Sequence, residues 1–462
     1  MKKLFGTDGM RGEAGRFPLD ARTVRVAGRS LARHLAERLG RAPRVVTGRD
    51  TRESGAWIER AFLEGALAGG AAEAESAGVI TTPGVAYLAR ALPADAGVVI
   101  SASHNPYQDN GIKIFAPTGR KLDDVTERLI EADIYAEFQE GDAAEKFDEN
   151  AVVLNQEGAR GLRAAELRAL YLDYLSGEVA AGLNLEGLTV VLDCANGAAS
   201  KLAPALLSLL GARVVSTFDA PDGRNINRDC GSLHADALRG RVVEEGAHLG
   251  VAYDGDADRS LFVDARGELV DGDATLWVLA RRMQERGELE GGRVVATVMS
   301  NIGLEIALRS RGIELLRTDV GDKFVLEKLL ETNSSLGGEQ SGHIIFPRLS
   351  LAGDGMLTTI NLLRAVVESG RGLEELAEGF RRYPQVLVNV RVREKVSFDE
   401  VEEIARASRE VRERLGEGGR LLLRYSGTEP LVRVMIEGQS QAEIDALAEG
   451  LASVIRRSLG EG

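Results

Sequence analysis

The run VVISASHNP, residues 98–106, decides how this chain is read. Three successive β-branched residues, Val98, Val99 and Ile100, fit a strand covered on both faces, as in a sheet sandwiched between helices. Ser101, Ala102, Ser103, His104, Asn105 and Pro106 end that strand and open a loop. In open α/β sheets, ligands settle at this end of the strands. A serine hydroxyl there, beside the imidazole of His104, is a candidate nucleophile. Taken alone, the same residues also fit a simple turn closed by a capping serine. The surroundings lack G-x-S-x-G, which excludes the α/β-hydrolase elbow.

Outward from this run, one strand–helix–strand pattern occurs three times. RVVT (44–47) leads through a polar loop into AWIERAFLEGALAGGA and a strand near 78–80. LTVVL (188–192) leads through CANGAAS into KLAPALLSLLG and ARVVS. RVVAT (293–297) leads through VMSN into IGLEIALRSRG and IELLRT. Each helix ends at or near a glycine, a common C-terminal signal. Three such units predict three similar α/β domains with mixed sheets rather than one large sheet. The last ninety or so residues change character. VLVNVRVR (386–393) alternates like a strand with one covered face, and RLLLRYS and LVRVMIEG flank an SGTEP turn between two helical stretches. This predicts a smaller C-terminal α+β domain. The acidic EFQEGDAAEKFDENA (137–151) reads as an exposed connection, and ELRALYLDYLS (166–176) as a helix entering the second domain. The expected domain limits are 1–152, 153–262, 263–370 and 371–462, arranged around a central cleft.

Three further stretches carry chemistry. DGDADR sets Asp254, Asp256 and Asp258 at alternate positions past the strand AHLGVAYD. Carboxylates this close repel unless a cation or buried donors neutralise them. Oxygen ligands suit a hard ion such as Mg²⁺ or Ca²⁺. The EF-hand is excluded, because Arg259 and Ala265 stand where that loop needs glycine and glutamate. An exposed acidic turn is the plain alternative, and Arg259 weighs against it, since a cation beside a metal site implies an anionic guest. In GEQSGH (338–343), glycines flank Glu339, Ser341 and His343, so the backbone can approach a ligand closely. A carboxylate and a hydroxyl two residues apart can face one way, toward neighbouring sugar hydroxyls. RYSGTEP (424–430) with Arg433 reads as a phosphate cradle. Arg424 can grip bidentately, Ser426 and Thr428 offer hydroxyls, and the turn at Gly427 can aim backbone amides at an anion. An ordinary hairpin turn is the alternative there, as a structural histidine is for His343.

Composition bounds the rest. The 462 residues suggest three or four domains, with 44% apolar and 28% charged residues, an ordinary globular balance. A net charge of −14 and a pI near 5.1 speak against nucleic-acid or anionic-membrane partners. The two cysteines, Cys194 and Cys230, form no C-x-x-C motif, so neither a disulfide framework nor a zinc site is indicated. The N-terminal MKKLFGTDG has no apolar core segment and no run of about 18 apolar residues occurs, so a cytoplasmic protein without a membrane span is expected.

SASHNP, DGDADR, GEQSGH and RYSGTEP occur in this order in the α-D-phosphohexomutase superfamily, which the chain resembles from end to end. The opening GTDGMRG (6–12) and the GEQSGH variant, with Gln340 as its mark, resemble the branch that acts on glucosamine phosphates. The resemblance implies that Ser103, rather than Ser101, carries a phosphate, and that this phosphate and Asp254, Asp256 and Asp258 hold Mg²⁺. It gives Lys113, in NGIK, and His104 the handling of protons, with Lys113 needing a lowered pKa to act as a base. A solvent-facing lysine is the ordinary alternative. Arg11 is implied as a phosphate-side contact, with Thr7 and Asp8 shaping its turn, and His343 as an aid to proton transfer. Glu339 and Ser341 would read the sugar 3- and 4-hydroxyls. Arg259, Lys323, Arg424, Ser426, Gly427, Thr428 and Arg433 would complete the substrate contacts. Tyr425 departs from the proline or lysine of many relatives. The implied activity is an isomerase that interconverts glucosamine 6-phosphate and glucosamine 1-phosphate through glucosamine 1,6-bisphosphate, feeding UDP-N-acetylglucosamine and peptidoglycan precursors. Its expected partners are the phosphosugar and an agent that first phosphorylates the serine. A phosphomannomutase or phosphoglucomutase of the same superfamily, and a non-catalytic phosphosugar-binding protein, remain alternatives.

Overall fold

The computed structural model describes residues 3–6, 8–139, 157–426 and 429–460. Thr7, Gly427, Thr428 and most of the expected acidic connection lie outside the described residues. Among the described residues, eighteen strands fall into four sheets. The first contains β1 (Phe5–Gly6), β2 (Gly9–Glu13), β3 (Arg44–Arg49), β4 (Glu73–Val79), β5 (Ala96–Ile100) and β6 (Asp109–Phe115), in the order β1-β2-β6-β5-β3-β4. β5 runs parallel to β3 and antiparallel to β6. Every residue of β5 is buried, as the Val-Val-Ile run predicts. Each such aliphatic side chain contributes roughly 1.5–3 kcal/mol on burial.

The second sheet contains β7 (Thr189–Asp193), β8 (Arg213–Thr217), β9 (Leu249–Tyr253), β10 (Ser260–Asp264) and β11 (Leu269–Val270). The third contains β12 (Arg293–Thr297), β13 (Glu314–Thr318), β14 (Gly337–Gly338) and β15 (Ile344–Ile345). Both mix parallel and antiparallel pairs. The fourth is wholly antiparallel, with β16 (Gln385–Arg391), β17 (Arg420–Tyr425) and β18 (Leu431–Glu437) in the order β16-β18-β17. Helices Glu402–Leu415 and Gln441–Leu459 belong to that unit. The fold is therefore three α/β units and a smaller C-terminal unit, as expected.

Two details differ from expectation. β4 begins at Glu73, earlier than the strand expected near 78–80. It pairs only with β3 at the sheet edge, where polar residues such as Glu73 and Glu75 are tolerated. The limit expected at residue 262 falls inside the buried strand β10, which pairs with β9 along its whole length.

One continuous apolar core draws on all three α/β units, from Val46 and Val85 through Leu192 and Phe262 to Leu304 and Met356. The C-terminal unit has a core of its own, built from residues such as Val434, Ile444 and Ile455. Among the described residues, no helix is long and apolar enough to cross a membrane.

Candidate active site

Ser103 lies just past β5 in a left-handed conformation, with φ 53°. A non-glycine residue holds such a conformation only when its surroundings over-determine it. Here the Ser103 N–H donates to Ser101 Oγ at 2.9 Å, and Ser101 Oγ donates to Asp50 Oδ2 at 2.6 Å. The Ser103 carbonyl accepts from Arg52 Nη2 at 3.2 Å and from Asn227 Nδ2 at 2.9 Å. Arg52 is itself buried and paired with Asp50. Ser101 is thus committed to the scaffold, while the Ser103 hydroxyl points at the acidic loop and donates to Asp254 Oδ2 at 2.6 Å.

That loop is the hairpin connection between β9 and β10. Gly255 lets its backbone abut the serine, since a Cβ there would lie 2.6 Å from the Ser103 carbonyl oxygen. Asp254, Asp256 and Asp258 are all buried, and their ligand oxygens lie within 4.8 Å of one another. Among the described residues, Asp256 Oδ1 and Asp258 Oδ1 have no hydrogen-bond partner. Burial pushes Asp254 far above the usual carboxylate range, with Asp258 and Asp256 adding to it. Burial pushes Asp258 the same way, but Lys113, His343 and Arg259 outweigh it and hold this carboxylate well below its ordinary value. Buried oxygens left without donors, in a convergent all-oxygen set, fit a hard divalent cation.

β2 and β6 are hydrogen-bonded neighbours that carry Arg11 and Lys113 to the same place. Lys113 Nζ lies 2.9 Å from Asp256 Oδ2, 3.4 Å from Asp8 and 3.5 Å from Asp258. Burial disfavours its ammonium form, yet Asp256, Asp8 and Asp258 together raise its pKa. This differs from the expectation of a lowered pKa: the surrounding carboxylates favour the ammonium form of Lys113. Arg11 pairs with Asp8 and reaches Asn105 Oδ1 at 3.4 Å. His104 behaves oppositely, because burial, Arg259 and Arg11 lower its pKa. Its Nδ1 lies 3.2 Å from both Ser103 Oγ and Arg259 Nη1. Arginine can only donate, which leaves this nitrogen unprotonated. His343 is buried with Nδ1 3.7 Å from Asp258. Burial opposes its charging, but Asp258 and Asp322 raise it to about 9.

The loop 338–343 is the hairpin connection of β14 and β15. Glu339 Oε1 accepts from the Gly321 N–H at 3.1 Å, and Ser341 Oγ lies 3.5 Å from Glu339 Oε2. The loop rests on the first turn of helix Gly272–Glu285, where the Gly272 N–H donates to the Gln340 carbonyl at 3.0 Å. A Cβ on Gly272 would lie 2.1 Å from the Glu339 carbonyl oxygen and 2.8 Å from the Gln340 carbonyl oxygen. Both obstacles are backbone, so Gly272→Ala is expected to destabilise by about 1–3 kcal/mol and to raise KM as the loop shifts. Thermal unfolding with steady-state kinetics checks this; an unchanged KM contradicts it. Lys323 does not join this group as expected: its ammonium pairs with Asp124 at 2.8 and 3.1 Å, across to the first unit. It lines a cavity of about 810 Å³ that opens behind Lys113 and His343.

Arg424 and Arg433 stand directly opposite each other on β17 and β18. Among the described residues neither guanidinium has a hydrogen-bonded or ion-paired partner. Burial, reinforced by Arg433, lowers the pKa of Arg424. Like charges facing across a ladder repel, and an anion between them relieves this. Ser426 is buried beside them, and its carbonyl accepts from Lys395 Nζ at 2.6 Å. The sequence gives little notice of Asp50, Arg52, Asn227, Gly272 or Lys395. The charged pair in GRDTRES, between a buried strand and an apolar helix, is the one available signal for Asp50 and Arg52.

Comparison with known proteins agrees with this geometry. Residues 2–141, 169–267, 271–383 and 387–454 match phosphoglucomutase/phosphomannomutase alpha/beta/alpha domains I, II and III and the C-terminal domain, respectively. The chain therefore belongs to the phosphoglucomutase/phosphomannomutase family, and is an isomerase that moves a phosphoryl group within its substrate. Within that family it falls among the phosphoglucosamine mutases. It is 48% identical over 460 residues to the phosphoglucosamine mutase of Solibacter usitatus, covering 100% of each chain. It is 46% identical to that of Mycobacterium ulcerans, covering 98% of this chain and 99% of the other. Among solved structures, a phosphoglucomutase/phosphomannomutase family protein of Burkholderia thailandensis superposes with TM-score 0.77 at 22% identity, covering 99% of each chain. N-acetylphosphoglucosamine mutase of Aspergillus fumigatus, solved with GlcNAc-6P and magnesium, superposes with TM-score 0.62 at 20% identity, covering 98% of this chain and 95% of that one. At that identity the likeness concerns the fold.

Proposed function

We propose that the chain interconverts glucosamine 6-phosphate and glucosamine 1-phosphate through a phosphorylated Ser103 and glucosamine 1,6-bisphosphate. The observation that carries this reading is the Ser103 hydroxyl held 2.6 Å from Asp254 within a buried acidic triad, with Arg259 and His104 alongside. In the first half-reaction the bond between phosphorus and Ser103 Oγ breaks and a bond to the free sugar hydroxyl forms. The hydroxyl proton passes to a neutral base, for which His104 Nδ1 is better poised than the ammonium of Lys113. The bisphosphate turns over within the cleft. The other phosphoryl group then returns to Ser103 Oγ, and the sugar oxygen it leaves regains a proton. Asp254, Asp256 and Asp258 would hold Mg²⁺, which supplies neutralising charge to the phosphoryl group in transit. Arg11 and Arg259 add fixed positive charge on the serine side. Glu339 and Ser341 accept the ring hydroxyls in either orientation. Arg424, Ser426 and Arg433, with Gly427 and Thr428 of the same turn, hold the phosphate that is not reacting. His343, with Nδ1 toward Asp258 and Nε2 accepting from the Gly353 N–H at 3.2 Å, assists proton transfer.

The domain roles follow: serine in the first unit, metal in the second, sugar contacts in the third, distal phosphate in the fourth. The product would supply UDP-N-acetylglucosamine synthesis in the cytoplasm. A panel of glucosamine, glucose and mannose 6-phosphates, each with catalytic sugar bisphosphate, tests the substrate assignment. The expected kcat/KM for the amino sugar exceeds the others by roughly tenfold or more, as a site that hydrogen-bonds a polar substituent allows. Equal or better turnover of mannose or glucose phosphate would move the chain to a sister activity.

A further inference from the structure

Gln340 marks the sugar loop, yet its amide turns inward. Its Nε2 donates to Asp273 Oδ2 at 3.2 Å, and the same carboxylate oxygen accepts from the Asn301 N–H at 2.8 Å. Asn301 caps helix Ile302–Ser310 through the Gly303 N–H at 2.9 Å. Its Nδ2 donates to Glu437 Oε1 at 3.1 Å, across to the C-terminal unit. Glu437 is fully buried; its Oε2 accepts from the Ile302 N–H at 3.2 Å and from Arg420 Nε at 2.8 Å. Arg420 Nη2 also reaches the Ser300 carbonyl at 3.1 Å. A carboxylate of the C-terminal unit is thus seated on a helix N-terminus of the third unit, where free N–H groups and the helix dipole favour it.

The placement of this seat matters. Arg420 and Glu437 face each other at one end of the β17–β18 ladder, and Arg424 and Arg433 face each other toward the other. Arg420 and Arg424 are four residues apart on β17, so the seat and the phosphate grip are roughly 13 Å apart along one stiff hairpin. The C-terminal unit has its own core, so the hairpin can turn about its seat as a body. Asp273 sits on the other side of that seat and holds the sugar loop. Among the described residues its Oδ1 has no hydrogen-bond partner, so the link runs through Oδ2. A loop packed on a helix for stability alone has no need of a buried carboxylate with an idle oxygen.

We propose that Asp273 is a positioning residue coupling the sugar loop 338–343 to the seat of the C-terminal unit, so that gripping the distal phosphate and ordering the ring contacts are one event. This rests on the reading of those two loops given above.

The test is a double-mutant cycle on the full-length enzyme with Gln340→Met, which keeps bulk and removes the donor, and Glu437→Gln, which keeps shape and removes the charge. Each single variant is expected to lower kcat/KM for glucosamine 6-phosphate about tenfold, and the double variant to fall by about the same factor rather than a hundredfold. Asp273→Asn retains an oxygen that accepts both donors and is expected to preserve this non-additivity; Asp273→Ala removes it. Simple multiplication of the two single effects overturns the proposal. So does a Gln340→Met variant that loses melting temperature but keeps kcat/KM. Should the parent prefer mannose or glucose phosphate, the substrate reading fails, while the cycle still reports on coupling with that substrate.

Discussion

Ser103→Ala is expected to lower turnover by on the order of 10⁴-fold or more while leaving the fold intact, because the substitution removes the covalent acceptor itself. The surrounding loop depends on the Ser103 backbone, not its hydroxyl. The N–H bond to Ser101 and the carbonyl bonds from Arg52 and Asn227 all survive the change. The one side-chain bond lost with certainty runs to Asp254, worth about 1 kcal/mol. Alanine inherits the same left-handed backbone as serine, so no new strain enters. Circular dichroism and a melting curve near the parent's, with activity gone, is the expected pair of results. Activity within tenfold or so of the parent would place the nucleophile elsewhere.

Asp256→Asn should cost about 10²–10³-fold in turnover and abolish stabilisation by divalent cations. Asp256 is the middle member of the acidic trio in the sequence. Its Oδ2 already accepts from Lys113 Nζ at 2.9 Å and from Thr82 Oγ1 at 2.6 Å, and among the described residues its Oδ1 is without a donor. The amide replaces a charged ligand with a neutral one and leaves Lys113 without its nearest counter-charge. A ligand that binds only the native state raises the melting temperature by mass action. The parent should therefore melt higher with millimolar Mg²⁺ and the variant should not. Full activity together with a cation-dependent shift in the variant would remove Asp256 from the metal site.

A comparison of small-angle scattering profiles with and without bound sugar phosphate checks whether the C-terminal unit swings on its seat. The separate core of that unit predicts a more compact profile when ligand is bound. Superimposable profiles would contradict it.

The sequence exposed the elements whose residues have one physical use. Val98 to Ile100 can hardly be anything but a buried strand, and the arginines bracketing SGTEP meet across the β17–β18 ladder. Three aspartates at alternate positions do converge. What stayed hidden depends on contacts between distant segments. Spacing cannot separate Ser101 from Ser103, because the choice is made by Asp50, which binds the first hydroxyl and leaves the second for Asp254. Lys113 was expected to carry a lowered pKa, but three carboxylates from two different units surround it. Lys323 follows the loop next to the sugar contacts, yet its ammonium finds Asp124. The role of Gly272 comes from a loop that arrives from nearly seventy residues away and leaves no space for a Cβ. The start of β4 at Glu73 is unmarked in the sequence because edge strands need not look apolar.

The most direct measurement of the central claim is intact-mass spectrometry of the parent and of Ser103→Ala after incubation with a sugar 1,6-bisphosphate, read alongside glucosamine 6-phosphate turnover. The phosphoserine account predicts a phosphate-sized mass increment on the parent alone, with turnover lost in the variant. Turnover by a parent that never acquires the increment, or an increment that persists in the variant, would contradict it.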